Sequence, residues 1–78
     1  MNEIQYFAVE LASKKYFDKH GIIINNNNNH MSYGVSQDSN GQPYIVIYLT
    51  NENNIKKLPT EFEGYPVDIK VIGEVFPA

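Results

Sequence analysis

The first apolar pattern along the chain is that of an amphipathic helix. Apolar side chains recur at steps of three and four over the first twenty residues, the spacing that lines one face of an α-helix. Asn2 and Gln5 have the spacing of a capping box, and Gly21 is a residue type that often ends a helix. We therefore predict a helix over residues 3–20. The positions expected to face the core are Ile4, Phe7, Ala8, Leu11, Ala12 and Tyr16.

A tract of asparagine follows this helix. Residues 25–29 are all asparagine and come directly after three isoleucines. Asparagine side chains compete for backbone hydrogen bonds, and the residue is depleted from the interiors of helices and strands. We therefore predict an asparagine-rich surface loop over residues 22–29, and we interpret the tract as a tolerated insertion without a binding role.

Three later segments carry strand patterns. Residues 30–37 alternate between apolar and polar, as in a strand with one solvated face. An Asn-Gly turn then leads into residues 43–50, whose nearly continuous apolar run is typical of a central strand covered on both faces. Residues 66–73 alternate again, after a connector with a predicted helical turn at residues 53–57. The connector residues expected to close one end of the core are Ile55, Leu58 and Phe62.

These elements predict a single α+β domain over residues 1–78. Its N-terminal helix packs on one face of a three-stranded sheet, and a short helical turn precedes the last strand. A chain of 78 residues has room for one domain with a thin core. The direction of the last strand stays open, because residues 51–64 are long enough to return the chain for parallel or antiparallel pairing.

One helix covers one face of such a sheet and leaves the other face open. Because strand side chains alternate between faces, we expect Tyr44, Val46 and Tyr48 on the open face, with Ile72 beside them. Tyrosine is enriched at protein interfaces. We therefore predict a non-enzymatic protein-interaction module that uses this face or an edge strand, with a protein partner or a second copy forming a dimer. The other interpretation is that these are ordinary strand residues, half covered by loops and the tail.

Charge and cysteine content exclude several other classes. Six lysines and nine acidic residues give a net charge of −3, so we expect no nucleic-acid partner. The absence of cysteine excludes disulfides and thiolate chemistry. The chain lacks the features of a signal peptide and has no apolar run that could span a bilayer. We therefore expect no membrane association and a cytoplasmic location.

Candidate chemistry is sparse. His20 and His30 are the two histidines, and neither has a second ligand-type residue at the spacing of a metal site. His30 with Ser32 or Tyr33 is the candidate for a small enzyme or ligand binder, but no orienting acid accompanies it. We therefore expect no catalytic site, no cofactor and no metal. The densest acidic cluster, which we interpret as a solvated rim, consists of Glu61, Glu63 and Asp68.

A further pattern of strand and turn residues lies between positions 30 and 76. It consists of Tyr33-Gly34-Val35-Ser36, Ile45-Val46-Ile47-Tyr48-Leu49, Leu58-Pro59, Phe62-Glu63-Gly64-Tyr65-Pro66-Val67 and Gly73. This pattern resembles a small bacterial domain of short uncharacterised proteins and of the segment that precedes some trypsin-like serine peptidase domains. The resemblance implies the alternative function, a peptidase-associated accessory or inhibitor-like small protein. It carries no functional residue to this chain, and the asparagine tract is foreign to the pattern.

Overall fold

The structure, a computed structural model, combines one long helix with a small mixed sheet and confirms the α+β class. It describes residues 2–25, 30–52 and 55–72. The sheet has four strands instead of the predicted three, because a short strand precedes the last one. The elements are α1 (Glu3–Asn25), β1 (Met31–Gln37), β2 (Pro43–Leu49), a 3₁₀ turn (Ile55–Lys57), β3 (Glu61–Phe62) and β4 (Tyr65–Val71).

The strand order in the sheet is β1-β2-β4-β3. β1 and β2 form an antiparallel hairpin, β4 returns parallel to β2, and β3 pairs antiparallel with β4. The central position predicted for residues 43–50 is thereby confirmed, and the open question of the last strand's direction is decided as parallel. The turn of the first hairpin is held by Asp38, whose carboxylate accepts bonds from the backbone N–H groups of Asn40 and Gln42 at 2.8 and 2.9 Å.

The helix begins where the sequence predicts and ends later. Asn2 and Gln5 form the reciprocal capping box, each side chain accepting a bond from the other's backbone N–H at 2.8 and 3.1 Å. The predicted end at Gly21 is wrong, because α1 continues to Asn25. Gly21 is buried, and its φ is not positive, so it continues the right-handed helix. The predicted loop over residues 22–29 therefore begins inside α1, and residues 26–29 lie outside the described residues.

The core lies between α1 and the sheet face that carries Ile45, Ile47 and Leu49, all fully buried. The register places Met31, Tyr33 and Val35 of β1 and Val67, Ile69 and Val71 of β4 on this same face, as the alternation predicted. On the helix, the core positions include Val9, Ala12 and Tyr16. The predicted core positions Ile4, Phe7, Ala8 and Leu11 are exposed, so that part of the prediction is wrong.

The connector between β2 and β4 closes one end of the core. Leu58 is buried, while Ile55 and Phe62 pack against the core cluster, which confirms their predicted role. Tyr16 anchors this connector from the helix side. Its hydroxyl donates a hydrogen bond to the Pro59 carbonyl at 2.8 Å, and its ring meets that of Phe62 edge-on at 5.3 Å. The helix in the described part of the chain is not apolar enough for a membrane span.

Candidate interaction surface

The outer face of α1 carries three large apolar side chains that the fold leaves exposed. Ile4, Phe7 and Leu11 keep 81%, 68% and 45% of their surface accessible. They follow one another at steps of three and four, so they line one stripe of the helix. The outer stripe and the core residues of α1 lie on different sides of the helix, so α1 has apolar side chains on two of its sides. Exposed apolar side chains gathered in one stripe are a feature of binding surfaces.

A groove lies where this stripe meets the sheet. Its volume is about 200 Å³, and its lining combines Phe7 and Leu11 with Glu10, Lys14 and Tyr33. Tyr33 reaches the helix from β1 and packs against Phe17, with ring centroids 5.2 Å apart. Because Tyr33 remains 39% exposed, its ring is both a wall of the groove and part of the surface. The groove is therefore mainly apolar, with one acidic and one basic side chain at its margin.

The groove adjoins the outer edge of β1. The Thr50 N–H donates to the His30 carbonyl at 3.3 Å, and the Asp38 N–H donates to the Gln42 carbonyl at 3.0 Å. Backbone bonds alternate in an antiparallel pair, so the even-numbered residues of β1 bond to β2. The backbone N–H and C=O groups of Met31, Tyr33 and Val35 therefore point away from β2. Among the described residues, none bonds to these outward groups.

The two edges of the sheet differ in how they are protected. β1 has seven residues, with no charged side chain, no proline and an unbroken register against β2. The opposite edge is β3, which has only two residues and carries the exposed Glu61. Proteins protect sheet edges against pairing with other chains by shortness, charge, proline or bulges. β3 uses shortness and charge, whereas β1 uses none of these devices.

The residues predicted to form the interaction site lie together on the sheet face opposite α1. The register places Tyr44, Val46 and Tyr48 along β2 on that face, and Ile72 follows β4 on the same side. Their exposure is unequal. Val46 is only 3% exposed, Tyr44 and Tyr48 are half-buried, and Ile72 is 53% exposed. Asp68 and Lys70 form an exposed ion pair at 3.7 Å on this face, so it is more polar than the outer stripe.

The two histidines have different surroundings. His20 packs against the rings of Tyr16 and Phe62, with centroids 4.7 and 6.3 Å away. Burial, and secondarily the charge of Lys19, lowers the pKa of His20 and favours its neutral form. His30 is exposed just before β1, and its backbone N–H donates to the Thr50 hydroxyl at 3.1 Å. His20 is therefore part of the packing, and the structure gives His30 no partner for proton transfer among the described residues.

Other polar groups that the sequence singled out have structural roles on the surface. Glu63 pairs with Lys15 at 3.6 Å, with both side chains about half exposed. Glu61 is exposed, as are Ser32 on β1 and Asp68. In the described residues, no three His, Asp or Glu side chains stand close enough to hold a metal ion. Burial raises the pKa of the Tyr16 hydroxyl from 10.0 to about 12.

The comparisons with known proteins add no relative. No family model, no curated protein and no solved structure matches this chain. The resemblance to a peptidase-associated bacterial domain therefore stays a prediction. The outer stripe was missed by the sequence analysis because its spacing satisfies the same periodicity as the core stripe. Val9, which the predicted core stripe left out, is buried beside Ala12 and Tyr16, so the face of α1 that covers the sheet is turned away from Ile4, Phe7 and Leu11.

Proposed function

We propose that this protein is a non-enzymatic protein-interaction module that binds a partner at the outer edge of β1 and in the adjoining groove. The observation that carries the proposal is the row of outward backbone groups at Met31, Tyr33 and Val35, which no other described residue bonds, on a seven-residue strand without charge or proline. An extended segment of another protein gains backbone hydrogen bonds by adding to such an edge. The edge thus has the form of a binding site for a β-strand.

The groove supplies the side-chain part of the same site. A strand added beside β1 places alternate side chains on the face that carries Tyr33. There they meet Phe7 and Leu11, whose exposed apolar surface has no cover from the described residues. Burying this surface stabilises a complex by about 25 cal/mol per Å² before the cost of association is subtracted. Backbone bonds and apolar contact therefore act on one partner segment.

The edge also favours the second candidate, an inhibitor-like protein. A strand whose outward backbone groups have no partner among residues 2–25, 30–52 and 55–72 can add to an extended chain-binding cleft. This candidate predicts that the protein slows a trypsin-like serine peptidase and is not cut by it. The interaction module stands first, because the groove beside β1 adds an apolar surface that strand insertion into a cleft does not use.

Site-specific photo-crosslinking in cells of the source organism tests the proposal. A benzophenone amino acid replaces Tyr33 at the β1 edge, and a matched variant carries it in place of half-buried Tyr44 on the opposite sheet face. Circular dichroism checks that both variants fold. We expect protein adducts from position 33 and at most traces from position 44.

Two results contradict the proposal. If only position 44 gives adducts, the partner binds the sheet face that carries Tyr44, as the sequence first indicated, and not the β1 edge. Adducts from neither position overturn the interaction role. Mass spectrometry of an adduct at position 33 identifies its partner, and a peptidase found there supports the second candidate.

A further inference from the structure

We infer that the partner strand is β1 of a second copy, so that two chains join their sheets into one eight-stranded sheet around a twofold axis. This inference rests on the proposed function and names its partner. It follows from four features of the described residues: the composition of β1, the pattern of its outward groups, the position of α1 and the protection of the opposite edge.

β1 is complementary to itself. Its seven residues, Met31–Gln37, carry no charge, so two copies approach without like-charge repulsion within the strand. Outward groups occur at odd-numbered residues, and antiparallel pairing requires outward residues to stand opposite one another. Full overlap of the two strands puts the twofold axis at Gly34, the middle residue. Tyr33 then stands opposite Val35 of the second copy, and their backbone groups bond in both directions.

The position of α1 permits this pairing and adds a contact. α1 packs over β1 and β2. Strands in a sheet are about 4.8 Å apart, so helix axes that each lie over the space between β1 and β2 would be about 10 Å apart on the same face of the joined sheet. That separation is the spacing of packed helices, about 8–10 Å. At that separation the two helices are close enough to pack against each other.

The charges on the facing sides of the helices are complementary. The side of α1 toward the β1 edge is marked by Phe17, which touches Tyr33, and by Glu10 and Lys14 at the groove. A twofold axis perpendicular to the sheet makes the two helices antiparallel. The side of α1 that faces the second copy thus carries one acidic and one basic residue, Glu10 and Lys14, and in antiparallel helices such a pair can meet its opposite charges on the other chain.

The opposite edge limits the assembly to two chains. β3 has two residues and carries exposed Glu61, so it does not continue the sheet. Pairing of β1 with β1 is isologous and closes. Phe7, Leu11 and Tyr33 supply roughly 300 Å² of exposed surface per chain, or about 600 Å² for the pair, which is about half the area of a small specific interface. The backbone bonds of the paired strands add to this contact, and the dimer is weak. We therefore expect a dimer with a micromolar dissociation constant.

Sedimentation equilibrium of the full chain tests the inference from about 1 µM to about 500 µM. We expect the mass to rise from the 8.9 kDa of one chain toward twice that value. Hydrogen exchange followed by NMR locates the contact. The backbone amides of Tyr33 and Val35 are expected to exchange at least tenfold more slowly at the high concentration. The backbone amides of Ser32 and Ser36 bond to β2 within one chain, so they are expected to be protected from exchange at both the low and the high concentration.

A charge at the axis provides the decisive variant. A Cβ at Gly34 meets no atom within 4 Å, so Gly34→Lys is compatible with the monomer fold. In the dimer it sets two lysines beside each other, and we expect the dissociation constant to rise at least tenfold. Thr60→Lys adds the same charge at an exposed position near the opposite edge and is expected to change the constant less than twofold.

Three outcomes overturn the inference. The first is a monomer at every concentration, and the second is a dimer whose affinity Gly34→Lys does not change. The third is a dimer without added protection at Tyr33 and Val35. A monomer that still gives adducts to another protein from position 33 in cells overturns the second copy and leaves the proposed function standing. A monomer with no adduct at that position overturns both.

Discussion

The hydroxyl of Tyr16 links the helix to the connector that closes the core. The residue is fully buried, and its hydroxyl donates a bond of 2.8 Å to the Pro59 carbonyl, which ties α1 to the connector before β3. Tyr16→Phe removes this bond and keeps the ring. Near pH 7 we expect the substitution to lower the free energy of unfolding by about 1–2 kcal/mol, because the Pro59 carbonyl loses its donor in a buried site.

The same hydroxyl gives the prediction a pH signature. Burial raises the pKa of Tyr16 from 10.0 to about 12, so the folded state favours the neutral phenol. Its contribution to stability is complete below pH 10, the unfolded value, and is lost as the pH rises toward 12. A shift of this size corresponds to about 2–3 kcal/mol. We therefore expect wild type to be more stable than Tyr16→Phe up to about pH 10 and less stable at about pH 12.

Urea unfolding followed by circular dichroism at a series of pH values measures this difference. Comparing wild type with Tyr16→Phe cancels the titration of the lysines and of the other tyrosines. Tyr33→Phe serves as the matched control, because that tyrosine is 39% exposed and its difference from wild type should not change sign. A Tyr16→Phe difference that stays constant across the alkaline range refutes the assignment of a buried, bonded hydroxyl.

Three further predictions test the fold. Phe7→Gln on the outer stripe should change the free energy of unfolding by less than about 0.5 kcal/mol, whereas Leu49→Ala in the core should lower it by about 2–5 kcal/mol. If urea titrations give the two variants the same loss of stability, the outer stripe is buried. Glu63 and Gly64 have positive φ values of 51° and 84°, a backbone conformation that asparagine and glycine adopt more readily than other residues. Glu63→Asn should therefore stabilise the protein by about 0.5–1 kcal/mol, and Gly64→Ala should destabilise it. Thermal melts that show the reverse order refute this turn geometry. Because the pKa of His20 is lowered in the folded state, the contribution of this residue to the free energy of unfolding is complete above its unfolded pKa of 6.5 and is lost as the pH falls through the lowered value. The stability advantage of wild type over His20→Gln should therefore shrink in acid. A difference that stays constant with pH contradicts this environment.

Local features of this protein follow from sequence neighbours alone. The capping box needs only Asn2 and Gln5, three residues apart, and the first hairpin turn needs only the Asp38 carboxylate and the amides that follow it. The alternation along β2 likewise sorts Ile45 and Ile47 to the core face. Interactions within a few residues set these features, because the atoms involved are held close by the chain itself.

Long-range contacts decided what the periodicity left ambiguous. α1 has two apolar stripes, and the choice of Val9 and Tyr16 over Ile4 and Phe7 depends on partners such as Pro59, which lies 43 residues from Tyr16. The parallel return of β4 and the continuation of α1 through Gly21 depend on packing in the same way. A periodic pattern states that a face is apolar, whereas only the assembled tertiary structure determines which apolar face the sheet covers and which one remains for a partner.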